Sequence, residues 1–290
     1  MALKIAFIGA TGMVGRPVAK ELAYAGMEVT ALVRDPLRAK DLSSAIALMP
    51  GDLRHAEDLD RLFMGKDAVY LNLNLDMSAG KNSYHNEREG LDTIIRAAQK
   101  RNLKRIALVS SLVMNYQGMN GFNWWVFDMK RQAVEKIRAS GIPYTIFYPS
   151  TFMENFENNY RRGKKIMLAG TSHHRMYFIA GEDYGKQVSR SFQILNDENR
   201  EYVIQGPEGF TAEEAAAEYI RHYPDEPLSI ARAPAGMLQF LGYFNQRMRY
   251  GYHIVTALNN YPEKFESQTT WDELGKPSIT LRRFAGRSRE

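Results

Sequence analysis

Gly9-Ala10-Thr11-Gly12-Met13-Val14-Gly15 sets glycines at every third position, directly after an apolar run and directly before a helix-periodic one. Glycine permits a tight turn and lets the main chain approach a ligand closely. A helix starting at such a turn offers N–H groups and positive potential to a pyrophosphate. The spacing is GxxGxxG rather than GxGxxG. A glycine turn by itself can be only a turn. The strand before it, the helix after it and the βαβ pattern beyond make dinucleotide binding the expectation for Gly9, Thr11, Gly12, Met13, Val14 and Gly15.

The second strand ends Ala31-Leu32-Val33-Arg34-Asp35. An acid at that strand end would accept the ribose hydroxyls of NAD(H), whereas an arginine suits a 2′-phosphate through charge-assisted hydrogen bonds. Arg34 has the position, so NADP(H) is expected in preference to NAD(H), and Asp35 keeps NAD(H) open.

The chain of 290 residues, 44% hydrophobic and 24% charged, has ordinary globular composition. With no cysteine, disulfides, thiolate metal sites and thiol nucleophiles are excluded, and a reducing cytoplasm is the expected setting. No apolar segment is long enough to span a membrane. Of the net charge of +5, part sits in Arg282, Arg283, Arg287 and Arg289; elsewhere bases and acids alternate, as over 54–61. That pattern favours a solvated surface with a small anionic ligand over nucleic acid. His173-His174 beside Arg175 reads as an exposed loop, and no metal site is expected.

Strands are expected over 4–8, 28–33, 45–49, 68–75, 105–109 and 144–148. Helices are expected over 14–25, 59–64, 87–100 and 127–139. The helix over 87–100, for example, sets Leu91, Ile94, Ile95 and Ala98 on one face. Strands alternating with helices demand crossovers, hence a mostly parallel sheet covered on both faces: an α/β, doubly wound Rossmann core over about residues 1–150. Beyond Pro149 the pattern loosens into a smaller C-terminal α/β lobe over 151–290, interleaved with the core. There 211–223 reads as a helix with Thr211 and Glu214 forming a capping box. The methionine- and aromatic-rich stretch 237–258 reads first as packing, second as a substrate wall.

The chain resembles the atypical short-chain dehydrogenase/reductases, particularly the NmrA-like group. Beyond the glycine turn, the resemblance rests on Gly51-Asp52-Leu53, Val109-Ser110-Ser111, Lys130 and Ala139-Ser140-Gly141-Ile142-Pro143-Tyr144-Thr145-Ile146. It continues through Tyr148-Pro149-Ser150-Thr151-Phe152-Met153-Glu154-Asn155, Asp183-Tyr184-Gly185, Gln205-Gly206-Pro207 and Thr211-Ala212-Glu213-Glu214. It implies that Asp52, with Leu53, lies near the adenine and that 72–74, including Leu73 and Asn74, runs along the cofactor. It further implies that Ser110 and the Tyr148-Pro149 loop approach the nicotinamide end. For Asp52 a turn or cap role competes, and for Ser110 and Ser111 ordinary strand-end hydrogen bonding.

The superfamily's usual Tyr-x-x-x-Lys pair is incomplete: four residues before Lys130 stands Val126. Lys130 is the candidate catalytic residue, either holding the nicotinamide ribose or acting as acid/base if desolvation lowers its pKa. Tyr116 and Tyr148 are possible substitute donors, and His85, His173 and His174 have no spacing that favours them.

Two functions follow: an NADPH-dependent reductase of a small carbonyl, quinone or conjugated alkene, or a non-catalytic regulator that senses NADP(H) and contacts a protein partner. Quinones and polarised alkenes need less help from a protein acid, so the missing tyrosine shifts the expected substrate. A sugar-nucleotide epimerase, normally dependent on the Tyr/Lys pair, is a weaker third.

Overall fold

The computed structural model describes residues 2–194 and 197–287, so Arg289 lies outside the described residues. The first half runs β1 (Lys4–Ile8), α1 (Gly15–Tyr24), β2 (Glu28–Val33), β3 (Ala47–Pro50), α2 (Ala56–Phe63), β4 (Ala68–Leu71), α3 (Leu91–Lys100), β5 (Arg105–Val109), α4 (Trp125–Arg138) and β6 (Tyr144–Pro149). The second half runs β7 (Arg161–Arg162), β8 (Lys165–Ala169), β9 (Met176–Tyr177), α5 (Gly181–Gln193), β10 (Arg200–Ile204), β11 (Gly209–Phe210) and α6 (Ala212–His222). It ends with β12 (Ser229–Ala233), α7 (Ala235–Gly242), α8 (Gln246–Asn260), α9 (Gln268–Leu274) and α10 (Leu281–Ala285).

Seven strands form one sheet in the order β10-β6-β5-β4-β1-β2-β3, and every neighbouring pair is parallel. Alternate residues of each strand serve opposite faces. Ala6, Ile8, Val69, Leu71, Ile106, Leu108 and Ile146 face a core shared with α2, α3 and α4. Ile5, Phe7, Ala68, Tyr70, Ala107, Val109 and Phe147 face one shared with α1 and α5. Burial on both faces is why these strands read as continuous apolar runs. A separate core gathers Met153, Phe156, Ile166, Phe178, Tyr219 and Phe284 from the second half of the chain.

The two halves interleave. β10 adds to the sheet beside β6, and α5 lies on α1 so closely that a Cβ at Gly185 would sit 3.0 Å from the Pro17 carbonyl oxygen. Three local differences from expectation have physical reasons. The helix expected from residue 87 begins as a single wide turn, Asn86–Gly90, and only then becomes α3. Gly90 lets Leu53 pack there, because a Cβ would lie 2.4 Å from its Cδ1. The stretch 237–258 is two helices, with Asn245 capping α8 by accepting from the Arg247 and Met248 amides at 2.9 and 3.3 Å. Packing holds for the later part of α8, where Tyr250, Ile254, Ala257 and Leu258 join the first core; Phe240, Tyr243 and Phe244, in and after α7, and Met248 stay exposed.

Candidate functional site

The glycine turn closes onto the strand beside it. Gly9 leaves β1 with a φ of +90°, and a Cβ there would meet the Asn72 carbonyl oxygen at 2.0 Å. A Cβ at Gly15 would lie 2.1 Å from the Gly9 oxygen. Asn72, just past β4, donates from Nδ2 to that same Gly9 oxygen at 3.2 Å, and the Gly12 amide donates to it at 3.2 Å. Helix α1 then starts with neither a side-chain cap nor an acid in its first turn. Its N-terminal amides and positive end therefore remain uncompensated, which fits a phosphate-bearing ligand. Thr11 fixes the outer edge through its carbonyl, which accepts Arg16 Nε at 3.0 Å, and Asn159 reaches over Met13. Val14 stands at the N-cap position of α1.

Arg34 follows β2, exposed, with no hydrogen bond or ion pair among the described residues. Asp35 instead accepts the Leu37 amide at 3.0 Å and caps the turn Pro36–Ala39, so its carboxylate is occupied where Arg34 is not. Asp52 is also occupied. It accepts the Arg54 amide at 2.9 Å and the Arg54 guanidinium at 2.6 Å, which holds its carboxyl below the usual range, while its own amide donates to Asp58 at 2.8 Å. Asp52 thus makes the turn bond, and Leu53 packs at Gly90.

Leu73 is buried in the core, so only its backbone can face a ligand, and Asn74 is exposed. The Asn74 carbonyl accepts Asn86 Nδ2 at 3.1 Å, tying the segment after β4 to the wide turn before α3. One residue on, Glu87 reaches α4: its Oε1 lies 2.7 Å from Lys130 Nζ. The glycine turn, 72–74, Glu87 and Lys130 are therefore linked along one edge of the sheet. Burial works to lower the Lys130 pKa, but the Glu87 charge and hydrogen bond outweigh it and the ammonium is held above its ordinary value. The lowered pKa that acid/base work by Lys130 requires is not found.

Val126 is 1% exposed, a core residue where the family's tyrosine would stand. The two tyrosines suggested as substitutes have partners of their own. The Tyr148 hydroxyl donates to Glu201 at 2.9 Å, and Arg138 clamps the same carboxylate at 2.7 and 2.8 Å; burial pushes that phenol up. Pro149 is buried opposite Ile204. Tyr116 is buried against Phe122 and receives a bond from Asn120. Ser110 makes strand-end bonds, its amide to the Phe147 carbonyl at 2.8 Å and its hydroxyl to Met114 Sδ at 3.4 Å. His85 is buried, its Nε2 donating to the Gly80 carbonyl at 3.0 Å. No group of three or more potential metal ligands occurs among the described residues, and no helix there is long and apolar enough to cross a membrane.

Sequence reasoning did not single out Glu87 or Asn86 and quoted Glu154 only within a motif; each gains its meaning from partners in other elements. The fold and the glycine turn together define a Rossmann-type dinucleotide-binding protein. Residues 9–176 match the family described as NAD(P)H-binding, and the chain belongs to that family. This agrees with its likeness to the atypical short-chain dehydrogenase/reductases.

Among known proteins, the chain is 27% identical over 222 residues to photosystem II assembly factor Ycf39 of Trieres chinensis, a match covering 73% of this chain and 66% of that one, just under two thirds. It is 27% identical to the (4-alkanoyl-5-oxo-2,5-dihydrofuran-3-yl)methyl phosphate reductase of Streptomyces griseus, covering 73% of this chain and 71% of that one. Of solved structures, the NADPH-dependent quinone oxidoreductase of Escherichia coli superposes with a TM-score of 0.73 at 18% identity, covering 97% and 98% of the two chains. UDP-glucose 4-epimerase from Bifidobacterium longum superposes with a TM-score of 0.76 at 14% identity, covering 98% and 96%. At such identities these likenesses concern the fold.

Proposed function

We propose that the protein is an NADPH-dependent reductase of a small carbonyl, quinone or conjugated alkene, working in the cytoplasm on a small-molecule acceptor. The observation that carries this reading is the continuous edge from the collapsed glycine turn through Asn72, Asn74 and Asn86 to the Glu87–Lys130 pair. In this reading the turn and the start of α1 bind the pyrophosphate, and Lys130 Nζ offers hydrogen bonds to the nicotinamide ribose. Arg34, exposed and unpaired, supports the 2′-phosphorylated form, since a guanidinium recognises phosphate by charge-assisted bonds. NADPH, when bound, supplies the hydride. The reductase names among the relatives, the Streptomyces enzyme and the NAD(P)H azoreductase of Xenophilus azovorans at 23% identity, support reduction over epimerisation.

Mixing the purified protein with NADPH and, separately, menadione, cinnamaldehyde and benzaldehyde tests this by the loss of NADPH absorbance. Sustained consumption with at least one acceptor is expected. Tight NADPH binding with no consumption in any of the three would replace the reductase by a sensor of the NADP(H) state.

A further inference from the structure

Helix α4 lacks a hydroxyl where the missing tyrosine would stand, yet a phenol from elsewhere packs against the residue that opens this helix and on the same core. Tyr250, in the first half of α8, sets its ring 5.0 Å from that of Trp124, the residue that precedes α4, in an edge-on contact. The Lys130 ammonium and the Glu87 carboxylate both act electrostatically on its hydroxyl. Glu87 of the turn Asn86–Gly90 thus pairs with Lys130 of α4 at 2.7 Å, and Tyr250 of α8 packs on Trp124, just before that helix.

Glu87 is 4% exposed and commits one oxygen to Lys130, while its second oxygen is buried with no hydrogen-bond partner. An unpaired buried acceptor of this kind carries an uncompensated desolvation cost, so its retention points to a group that arrives with a ligand. The Tyr250 hydroxyl has no hydrogen-bond partner among the described residues. The other tyrosines near the sheet are engaged: Tyr148 with Glu201, Tyr116 with Asn120, and Tyr70 with Tyr184 at 2.8 Å. His253, one turn along α8, stacks flat on Trp124, and burial, with the Arg249 charge, lowers its pKa.

We propose that Tyr250 is the proton donor of this reductase, supplied from α8 in place of the hydroxyl absent at Val126, with Lys130 and Glu87 as its positioning residues. The inference rests on the reductase reading and extends it to ketones and aldehydes, whose reduction needs an acid. In the step itself the acceptor takes two electrons and one hydrogen as hydride at its carbon. The C=O π pair moves to oxygen, and that oxygen takes the Tyr250 proton as the phenol O–H bond breaks. The carbonyl is reduced, NADPH is oxidised to NADP⁺, and the phenolate left behind is stabilised by the Lys130 ammonium until solvent reprotonates it. Burial raises the phenol pKa, which keeps Tyr250 protonated and suits it to donate.

Two measurements on the full chain test this. First, with tyrosine labelled at Cζ with carbon-13, the Tyr250 resonance of the nucleotide-free protein is identified by its loss in Tyr250→Phe. Its ionisation midpoint should rise in Lys130→Met and fall in Glu87→Gln; a midpoint indifferent to both overturns the triad. Second, Tyr250→Phe should lower kcat by roughly 100-fold with the acceptor that wild-type protein reduces fastest, leaving KM and NADPH affinity within about twofold. Turnover unchanged by the substitution overturns the donor role alone. Absence of wild-type turnover overturns the reductase reading and the donor role together.

Discussion

Glu154, in the segment after β6, illustrates how much a single side chain takes from its surroundings. Its Oε1 accepts the Gly181 amide at 2.7 Å at the start of α5, while Oε2 is buried without a partner. Burial pushes its pKa from 4.5 up to about 7. A carboxyl raised in the folded state contributes stability below its unfolded pKa and loses it as pH rises through the folded value. Urea denaturation should therefore show the wild-type protein losing stability relative to Glu154→Gln as pH rises from about 5 to 8. Parallel curves for the two proteins would show that the site titrates alike folded and unfolded. Arg34 was singled out in the sequence because a strand end is a local property, and Lys130 because the family resemblance gave it a place. Glu154 was quoted there only as part of a motif. Glu87 and Tyr250 were not legible, since the Glu87–Lys130 pair spans 43 positions and no spacing rule reaches that far.

At the level of elements, local signals were readable where the stabilising contact is itself local. Thr211 and Glu214 form the capping box that their spacing implied, Thr211 Oγ1 accepting the Glu214 amide at 3.2 Å and Glu214 accepting the Thr211 amide at 2.9 Å. Thr211→Ala should cost about 1 kcal/mol of unfolding free energy, read from the urea midpoint. A loss within error would mean that α6 is held by its packing on α10 in the separate core of the second half rather than by its cap. The turn Asn86–Gly90 and strand β10 escaped notice for the opposite reason. The wide turn answers to Leu53 packing against Gly90, and β10 opens with Arg200 and Glu201, exposed at a sheet edge, so no apolar alternation announces it. The methionine-rich stretch split because Asn245 interrupts it with a cap, a feature that helical periodicity averages over.

Over the whole molecule, the order β10-β6-β5-β4-β1-β2-β3 puts the ends of β1 and β4 side by side, with the glycine turn and Asn72 between them. The central strands were legible because burial on both faces makes them unbroken apolar runs, and their alternation with helices forces parallel crossovers. Chemistry was less legible, because the same fold carries reductases and epimerases alike, and only side chains in the cleft separate them. Cofactor choice is the claim on which the rest depends, and it reduces to one exposed guanidinium at the end of β2. Calorimetric titration with NADPH, NADP⁺, NADH and NAD⁺, repeated on Arg34→Ala, tests it directly. The account predicts that the phosphorylated pair binds more tightly and that the substitution removes about 2 kcal/mol, roughly 30-fold, from those two alone. Equal affinity for all four in both proteins would contradict the assignment of Arg34, and heat from none of them would contradict dinucleotide binding itself.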